Sequence, residues 1–501
     1  MKLNREILRL AVPSILANIT VPLVGMVDIA VVGHLGGSSA GSAAALIGGI
    51  SIGTMLFDLL YWNFGFLRAG TAGLTAQAYG AARKEAPGQA GSDVMPGCDR
   101  ASHILRRALR IALLSGVGLI ALQWMVVWLA FLVVDCSPQV QELATQYFHI
   151  RIWAAPATLS LFAFKGWFIG LQDSVRPMVA DLLVNALNIL LSIGLGFGLS
   201  LPGTLSGHLS GGVTLLPALG FAGVALGTVI AQWTGFLYCA LAARRRGALG
   251  RKPLIISVFS KFLDPIWYQE KNLNNSESDT YANIAPSAGT FFTLNRDLFL
   301  RSVGMIAVYI GFTVLSARFG DLMLAVSTIL MKLLMIFSYF TDGFAYAGEA
   351  LTGRFIGEKR ADGVRSTIRG TFAWSLGVAA VFMLVYWLGG VPLFRLMTAD
   401  AAVVDAGRQF MPWLLMMPLI GCAAFTWDGI FIGATASKDL RNSTLLCAVG
   451  FFAAWFIGLA CTGGHPSPET AIHILMAAYF VHLAVRTVYL SLRVRPAILK
   501  G

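Results

Sequence analysis

Apolar stretches of about 20 residues recur along the entire chain, and this limits the possible folds more than any other feature. Each is long enough to cross a hydrocarbon core of about 30 Å. Inside a bilayer the backbone has no water to bond, so segments of this kind cross as helices. Twelve spans are read, at 10–33, 41–70, 111–134, 147–171, 178–201, 219–242, 302–317, 324–350, 372–394, 412–434, 443–461 and 471–491. Charged residues are 12% of the chain, against about 25% in soluble domains, and hydrophobic residues are 56%. The expected fold is all-α, a polytopic membrane protein. No cleavable signal peptide is expected, because the first apolar stretch is too long and lacks an A-x-A-type site.

The net charge of +12 is a matter of topology rather than of nucleic acid. With the N-terminus inside, 29 of the 37 Lys and Arg fall on the cytoplasmic side of these spans, and only Arg318, Arg395 and Arg408 fall outside. That asymmetry is the positive-inside pattern, with both termini cytoplasmic. The expected location is the inner cell membrane, with the bilayer and a small-molecule cargo as partners, no nucleic acid, and a monomeric chain. The six cysteines form no metal spacing, and Cys136 and Cys461 lie near enough to the outer face to pair. No two of the seven histidines have metal-ligand spacing, so no metal site, cofactor or enzyme chemistry is assigned.

The chain also repeats itself. "LNREIL" at 3–8 precedes span 1 and "LNRDLF" at 294–299 precedes span 7, while "FKGWFIG" at 164–170 matches "WDGIFIG" at 427–433. The division expected is an N-lobe at 1–242, a cytoplasmic linker at 243–300 and a C-lobe at 301–501. Six spans per half is even, so the halves share one orientation and an axis along the membrane normal. The linker's "PLIISVFSKFLDPIW" has the mixed character of a surface-lying amphipathic helix, and the Gly- and Pro-rich loop at 86–99 reads as a connector. Two lobes about such an axis suit alternating access. No carbonyl-filter sequence argues for a channel.

Ionisable residues at membrane depth are costly and mark ion or substrate paths. Asp28 lies five residues before Gly33, about 7–8 Å beneath the outer end of its helix, where it is suited to load and release a proton. Pro13 and Pro22 on that helix remove backbone donors and permit bending. In "VNALNILLS" Asn185, Asn188 and Ser192 stack within two turns, and with Thr228 they are candidate partners for Asp28 or a substrate, or interhelical glue. Lys165 and Asp428 hold matching places in spans 4 and 10, with Trp427 beside the latter, and a Lys165–Asp428 pair across the cleft stays open. Tyr339, Asp342, Tyr346 and Glu349 step by 3, 4 and 3 along one face, suiting a lipophilic cation by charge and cation–π contact. Arg68 is expected to be structural, bonding backbone carbonyls. Arg151, with Tyr147 and Trp153, is expected to snorkel in an aromatic belt. Lys332 and Arg486 have no evident role.

"AVPSILANITVPLVGMVDIAVVGHLGG" at 11–37 resembles the first helix of the multidrug and toxic compound extrusion (MATE) family. "FGFLRAGTAGLTAQAYGA" at 64–81 is similar to the signature of its DNA-damage-inducible protein F branch. "NILLSIGLGFGL", "GFAGVALGTVIAQ" and "TWDGIFIGA" fit the branch's later helices in order. The resemblance implies two six-helix bundles in a V. It also implies export of organic cations or amphipathic drugs against protons or sodium, with the family's aspartate and bending proline falling on Asp28 and Pro13. Asp428 and Asp342 are then expected to be the C-lobe acids. The family pattern N-x-x-L-D puts Ser192 where relatives carry an acid, leaving Asp28 alone in its lobe. Two alternatives stay open: a related exporter or flippase of an organic anion or lipid-linked saccharide, and a non-transporting sensor or scaffold acting through the linker.

Overall fold

The computed structural model describes residues 2–35, 43–85, 98–132, 134, 136–201, 213–249, 288–398 and 401–499. Most of the 86–99 loop, and the linker residues 250–287 with their suggested surface helix, lie outside the described residues. The first half runs α1 (Lys2–Leu35), α2 (Ala43–Asn63), α3 (Gly65–Glu85), α4 (Cys98–Ala121), α5 (Gln123–Phe131), α6 (Pro138–Arg151), α7 (Ala155–Gly170), α8 (Val175–Phe197) and α9 (Gly220–Arg245). The second runs α10 (Ala288–Ala317), α11 (Asp321–Gly357), α12 (Ala361–Met397), α13 (Ala401–Gly407), α14 (Met411–Gly433), α15 (Ser437–Cys461) and α16 (Pro468–Ala497). Among the described residues eleven helical segments are long and apolar enough to cross a membrane, or twelve if α4 and α5, bent by 63°, form one span. Among the described residues the fold is all-helical apart from a ribbon in which β1 (Leu199–Leu201) pairs antiparallel with β2 (Val213–Leu216).

Three spans differ from the hydropathy reading, each for a physical reason. The second crossing is broken at Phe64, and α3 then continues to Glu85. Its sequence is rich in Gly, Ala and Thr, and thirteen of its residues are buried against other helices rather than lipid. Helix α10 begins fourteen residues before the apolar stretch at 302–317. Its polar first turns persist because Asp297 is held by Arg441 at 2.7 Å and by Ser437 at 3.3 Å. The fourth crossing joins α6 to α7 through a 3₁₀ turn at Ile152–Ala154. Helix α1 runs unbroken through Pro13 and Pro22. Cys136 and Cys461 do not pair, since both are free.

The halves are joined at one end, where two of the hydrophobic cores draw on both. Val31, Leu46, Ile50, Phe148 and Phe221 form a core within the first half, and Val308, Phe337, Phe394, Phe410 and Trp455 one within the second. A third core draws on both, placing Leu74, Phe164 and Trp167 with Leu294, Phe431 and Leu490. A fourth packs Leu3 and Leu8 near Ile498 and Leu499, so both chain ends lie at the joined end.

The joint follows the internal repeat. A Cβ on Gly80 would overlap the carbonyl oxygen of Arg354, and a Cβ on Gly357 would overlap that of Gln77. This reciprocal contact brings the backbones of α3 and α11 together, as only small residues permit. Beside it Gln77 donates to the Gly433 carbonyl at 3.1 Å and to Thr435 Oγ1 at 3.2 Å, and Arg354 donates to Gln172 Oε1 at 3.0 Å. Gln172 and Thr435 are the same position in "FIGLQ" and "FIGAT". Both adopt the left-handed conformation, with φ 62° and 54°. The turns are Schellman caps, with Asp173 N bonded to Phe168 O and Ala436 N to Phe431 O. Glycine is the usual residue there, so each cap accepts strain in exchange for a side chain that meets the other half. Arg354 also pairs with Glu6 at 2.9 Å, tying α1 to the joint.

Gly80→Val and Gly357→Val are each expected to cost about 1–3 kcal/mol by overpacking and to lower the unfolding midpoint of the solubilised protein by several degrees. Gly118→Val, whose Cβ meets no atom within 4 Å, is expected to leave the midpoint unchanged. Thermal unfolding of the three variants checks this. An equal fall in all three would show that the α3–α11 contact has no special weight.

Candidate functional site

Among the buried polar groups of the described residues, two systems hold the acids singled out in the sequence, one in each half. In the first half α8 places Asn188 and Ser192 one helical turn apart, facing Asp28 on α1 and Thr228 on α9. Ser192 Oγ donates to Asp28 Oδ1 at 2.8 Å, and Asn188 Nδ2 donates to Thr228 Oγ1 at 2.8 Å. Ser192 Oγ is also 3.4 Å from Asn188 Oδ1. All four residues are buried, Asp28 being 7% exposed. A hydroxyl carries one proton, so Ser192 serves one of its two acceptors at a time. A protonated Asp28 gains an O–H that can donate to Ser192 Oγ, which frees the Ser192 proton to turn toward Asn188. Asn185 stands apart from it, donating to Thr20 Oγ1 at 2.5 Å.

The second system is a cavity of about 380 Å³ in the second half, whose remaining wall is the α2–α3 break. Tyr339, Asp342, Tyr346 and Glu349 all line it from α11, and Asp428 faces it from α14. Three arginines balance these three acids. Asp428 is held by Arg301 of α10 at 2.5 Å and by Arg486 of α16 through two of its nitrogens. Glu349 is held by Arg68 of α3 at 3.1 Å, and the Arg68 guanidinium lies 4.4 Å from the centre of the Tyr346 ring. Asp342 makes no ion pair among the described residues. It is the acid in the cavity wall without a bonded cation, set among Tyr339, Tyr346, Tyr309 and Phe66.

Several sequence expectations fall elsewhere. Lys165 pairs with Asp181 at 2.5 Å within the first half, so no Lys165–Asp428 pair forms. The Trp427 indole donates to Ser491 Oγ at 2.9 Å and packs edge-on to Phe372, and it does not line the cavity. Arg68 is part of the cavity wall rather than a ligand of backbone carbonyls, because the chain breaks just before it and aims α3 across the cleft. Arg151 does not snorkel. It donates to Tyr147 Oη at 2.9 Å and to Thr54 Oγ1 at 3.4 Å, and covers the Phe57 ring, inside the first half. Arg486 and Arg301 were given no role by the sequence. A buried carboxylate such as Asp428 demands counter-charges, and Arg486, 1% exposed within a span, was the signal that one was present. Arg301 was hidden by a boundary set one residue after it. Among the described residues no three His, Cys, Asp or Glu side chains converge as a metal site.

Comparison with known proteins agrees with this architecture. Residues 13–94, 98–193 and 298–453 match the MatE family profile. The chain is 31% identical to the DNA damage-inducible protein F of Escherichia coli strain K12, over 97% of this chain and 91% of that one. It is 24% identical to a probable multidrug resistance protein NorM of Rhizobium meliloti, over 93% and 87%. Among solved structures, a MOP superfamily transporter from Pyrococcus furiosus, whose binding pocket is described as reversed in polarity, superposes with a TM-score of 0.74 at 17% identity, over 100% of this chain and 97% of that one. A MATE protein in a bent conformation superposes with a TM-score of 0.73 at 16% identity, over 99% and 96%. Eleven or twelve apolar helices among the described residues, with this profile over most of the length and this degree of identity, place the chain in the MatE family of multidrug and toxic compound extrusion transporters.

Proposed function

We propose that this protein is an ion-coupled antiporter that exports organic cations or amphipathic cationic compounds by alternating access of its two lobes. The observation that carries the reading is the separation of two acids with different surroundings. Asp28 is hydrogen-bonded by neutral Ser192, with the Arg151 charge of the same half acting on it without an ion pair, and Asp342 faces an aromatic cavity. The first arrangement suits a small ion, and the second suits a lipophilic cation held by charge and ring faces. Helix α1 relates the two sites. Ala11 and Ile15 pack on Gly343 of α11, and Asn18 donates to the Tyr339 carbonyl at 3.4 Å, so the helix bearing Asp28 rests on the helix bearing Asp342. A bend of α1 at Pro13 or Pro22 would move both, which is the two-state element that coupling requires. The coupling ion is the proton, since Ser192 supplies a donor where a second carboxylate would favour a metal cation. Sodium coupling is the alternative outcome of the test. The joined end carries most of the Lys and Arg and is placed in the cytoplasm, at the inner cell membrane. The conformation described here is then closed to the cytoplasm.

In proteoliposomes with an imposed proton or sodium gradient, Asp28→Asn is expected to lose gradient-driven ethidium transport while binding ethidium as wild type does. Gradient-driven transport by Asp28→Asn would sink the assignment, and a response to sodium alone would replace the proton.

The cavity acids separate in a second measurement. Asp342→Asn, which breaks no ion pair, is expected to weaken ethidium binding about tenfold with a smaller fall in the unfolding midpoint than Asp428→Asn. Asp428→Asn, which leaves Arg301 and Arg486 without their shared counter-charge, costs about 3–5 kcal/mol of stability and shows as a lower midpoint. The reverse pattern would make Asp428 the cargo acid.

A further inference from the structure

The geometry points to Arg68 as a tethered cation that competes with the cargo and expels it when the lobes close at the joined end. The inference rests on the cation-export reading above. Arg68 belongs to α3 in the first half, whereas the cavity it enters is otherwise built by α10, α11, α14 and α16, apart from the α2–α3 break. It takes two things there. Its Nη1 binds Glu349 Oε2 at 3.1 Å, and its guanidinium covers the ring of Tyr346 at 4.4 Å. A carboxylate beside an aromatic face is what a lipophilic organic cation would seek in this wall. The arginine therefore occupies a cation subsite about two helical turns from Asp342 on the same cavity wall, one into which the bound cargo would extend. The second oxygen of Glu349, Oε1, is buried and has no hydrogen-bond partner, so the carboxylate is only half satisfied by its internal cation.

Position makes the occupancy depend on conformation. Arg68 lies on α3, nine residues before Gln77 and twelve before Gly80, and Glu349 lies on α11, five before Arg354 and eight before Gly357. The ion pair thus lies about two to three helical turns along the same two helices from the backbone contact that joins the halves. Parting the lobes at that end must carry α3 away from α11, and Arg68 away from Glu349 and Tyr346. The subsite is then open to cargo on the side from which it is loaded. Closing the joint returns the guanidinium to both partners, and charge repulsion with a bound cation favours release at the other end. Asp428 needs no such device, because Arg301 and Arg486 of its own half already hold it.

The test uses the full-length protein in detergent and in proteoliposomes, with ethidium as the probe. Arg68→Gln is expected to bind ethidium about tenfold more tightly than wild type and to transport it with both a lower KM and a lower kcat, because release slows. Arg68→Lys keeps a cation in place and is expected to remain within about threefold of wild type. Arg68→Met, of similar length and neutral, repeats the measurement if the glutamine variant does not fold. Unchanged or weaker binding by a folded neutral variant overturns the inference, as does equal tightening by Arg68→Lys. Wild-type protein that neither binds nor exports ethidium would instead remove the cation-export reading on which the inference stands.

Discussion

The backbone contact between α3 and α11, with Gly80 on the Arg354 carbonyl and Gly357 on that of Gln77, is the constraint on which the rest of the structure depends. In a bilayer apolar surface gives helices little reason to choose one another over lipid, so association relies on close packing and hydrogen bonds. Two glycines placed reciprocally provide the packing. Gln77, Arg354, Gln172 and Thr435 provide the bonds in a matching two-fold pattern. The contact is small enough to part and specific enough to reform, which a rocking joint requires.

The buried charges are arranged around this joint. Asp28 and its neutral partners lie away from it in one half, and Asp428 is neutralised within the other by Arg301 and Arg486. The pair Arg68–Glu349 crosses between halves on the two helices that carry those glycines. Ion pairs inside one lobe move as rigid units, whereas a pair across the lobes forms and breaks with the motion. Three buried acids are therefore not equivalent, and their differences come from which half supplies the partner.

Much of the architecture was legible in the sequence because the bilayer makes its demands locally. Spans, the charge asymmetry and the matched "FKGWFIG" and "WDGIFIG" segments are properties of short stretches. The spacing of Tyr339, Asp342, Tyr346 and Glu349 marked one helical face, and that face lines the cavity. The errors arose where burial came from protein rather than lipid. "TAGLTAQAYGAARK" is too polar to look like a span, yet it is buried among helices. Arg301 appeared to lie outside the membrane because the polar first turns of α10 are satisfied by Arg441 and Ser437, residues far away in sequence.

The sequence alone determined that the chain is a duplicated set of membrane-spanning helices with acids at depth, since helix length, period and charge bias follow from neighbouring residues. Only the tertiary structure decided the partners. Lys165 meets Asp181 and not Asp428, Arg486 meets Asp428, and Arg68 reaches Glu349 across 281 positions of sequence. A buried charge must find a counter-charge, but which one it finds depends on how helices distant in sequence are packed. No local pattern encodes that choice.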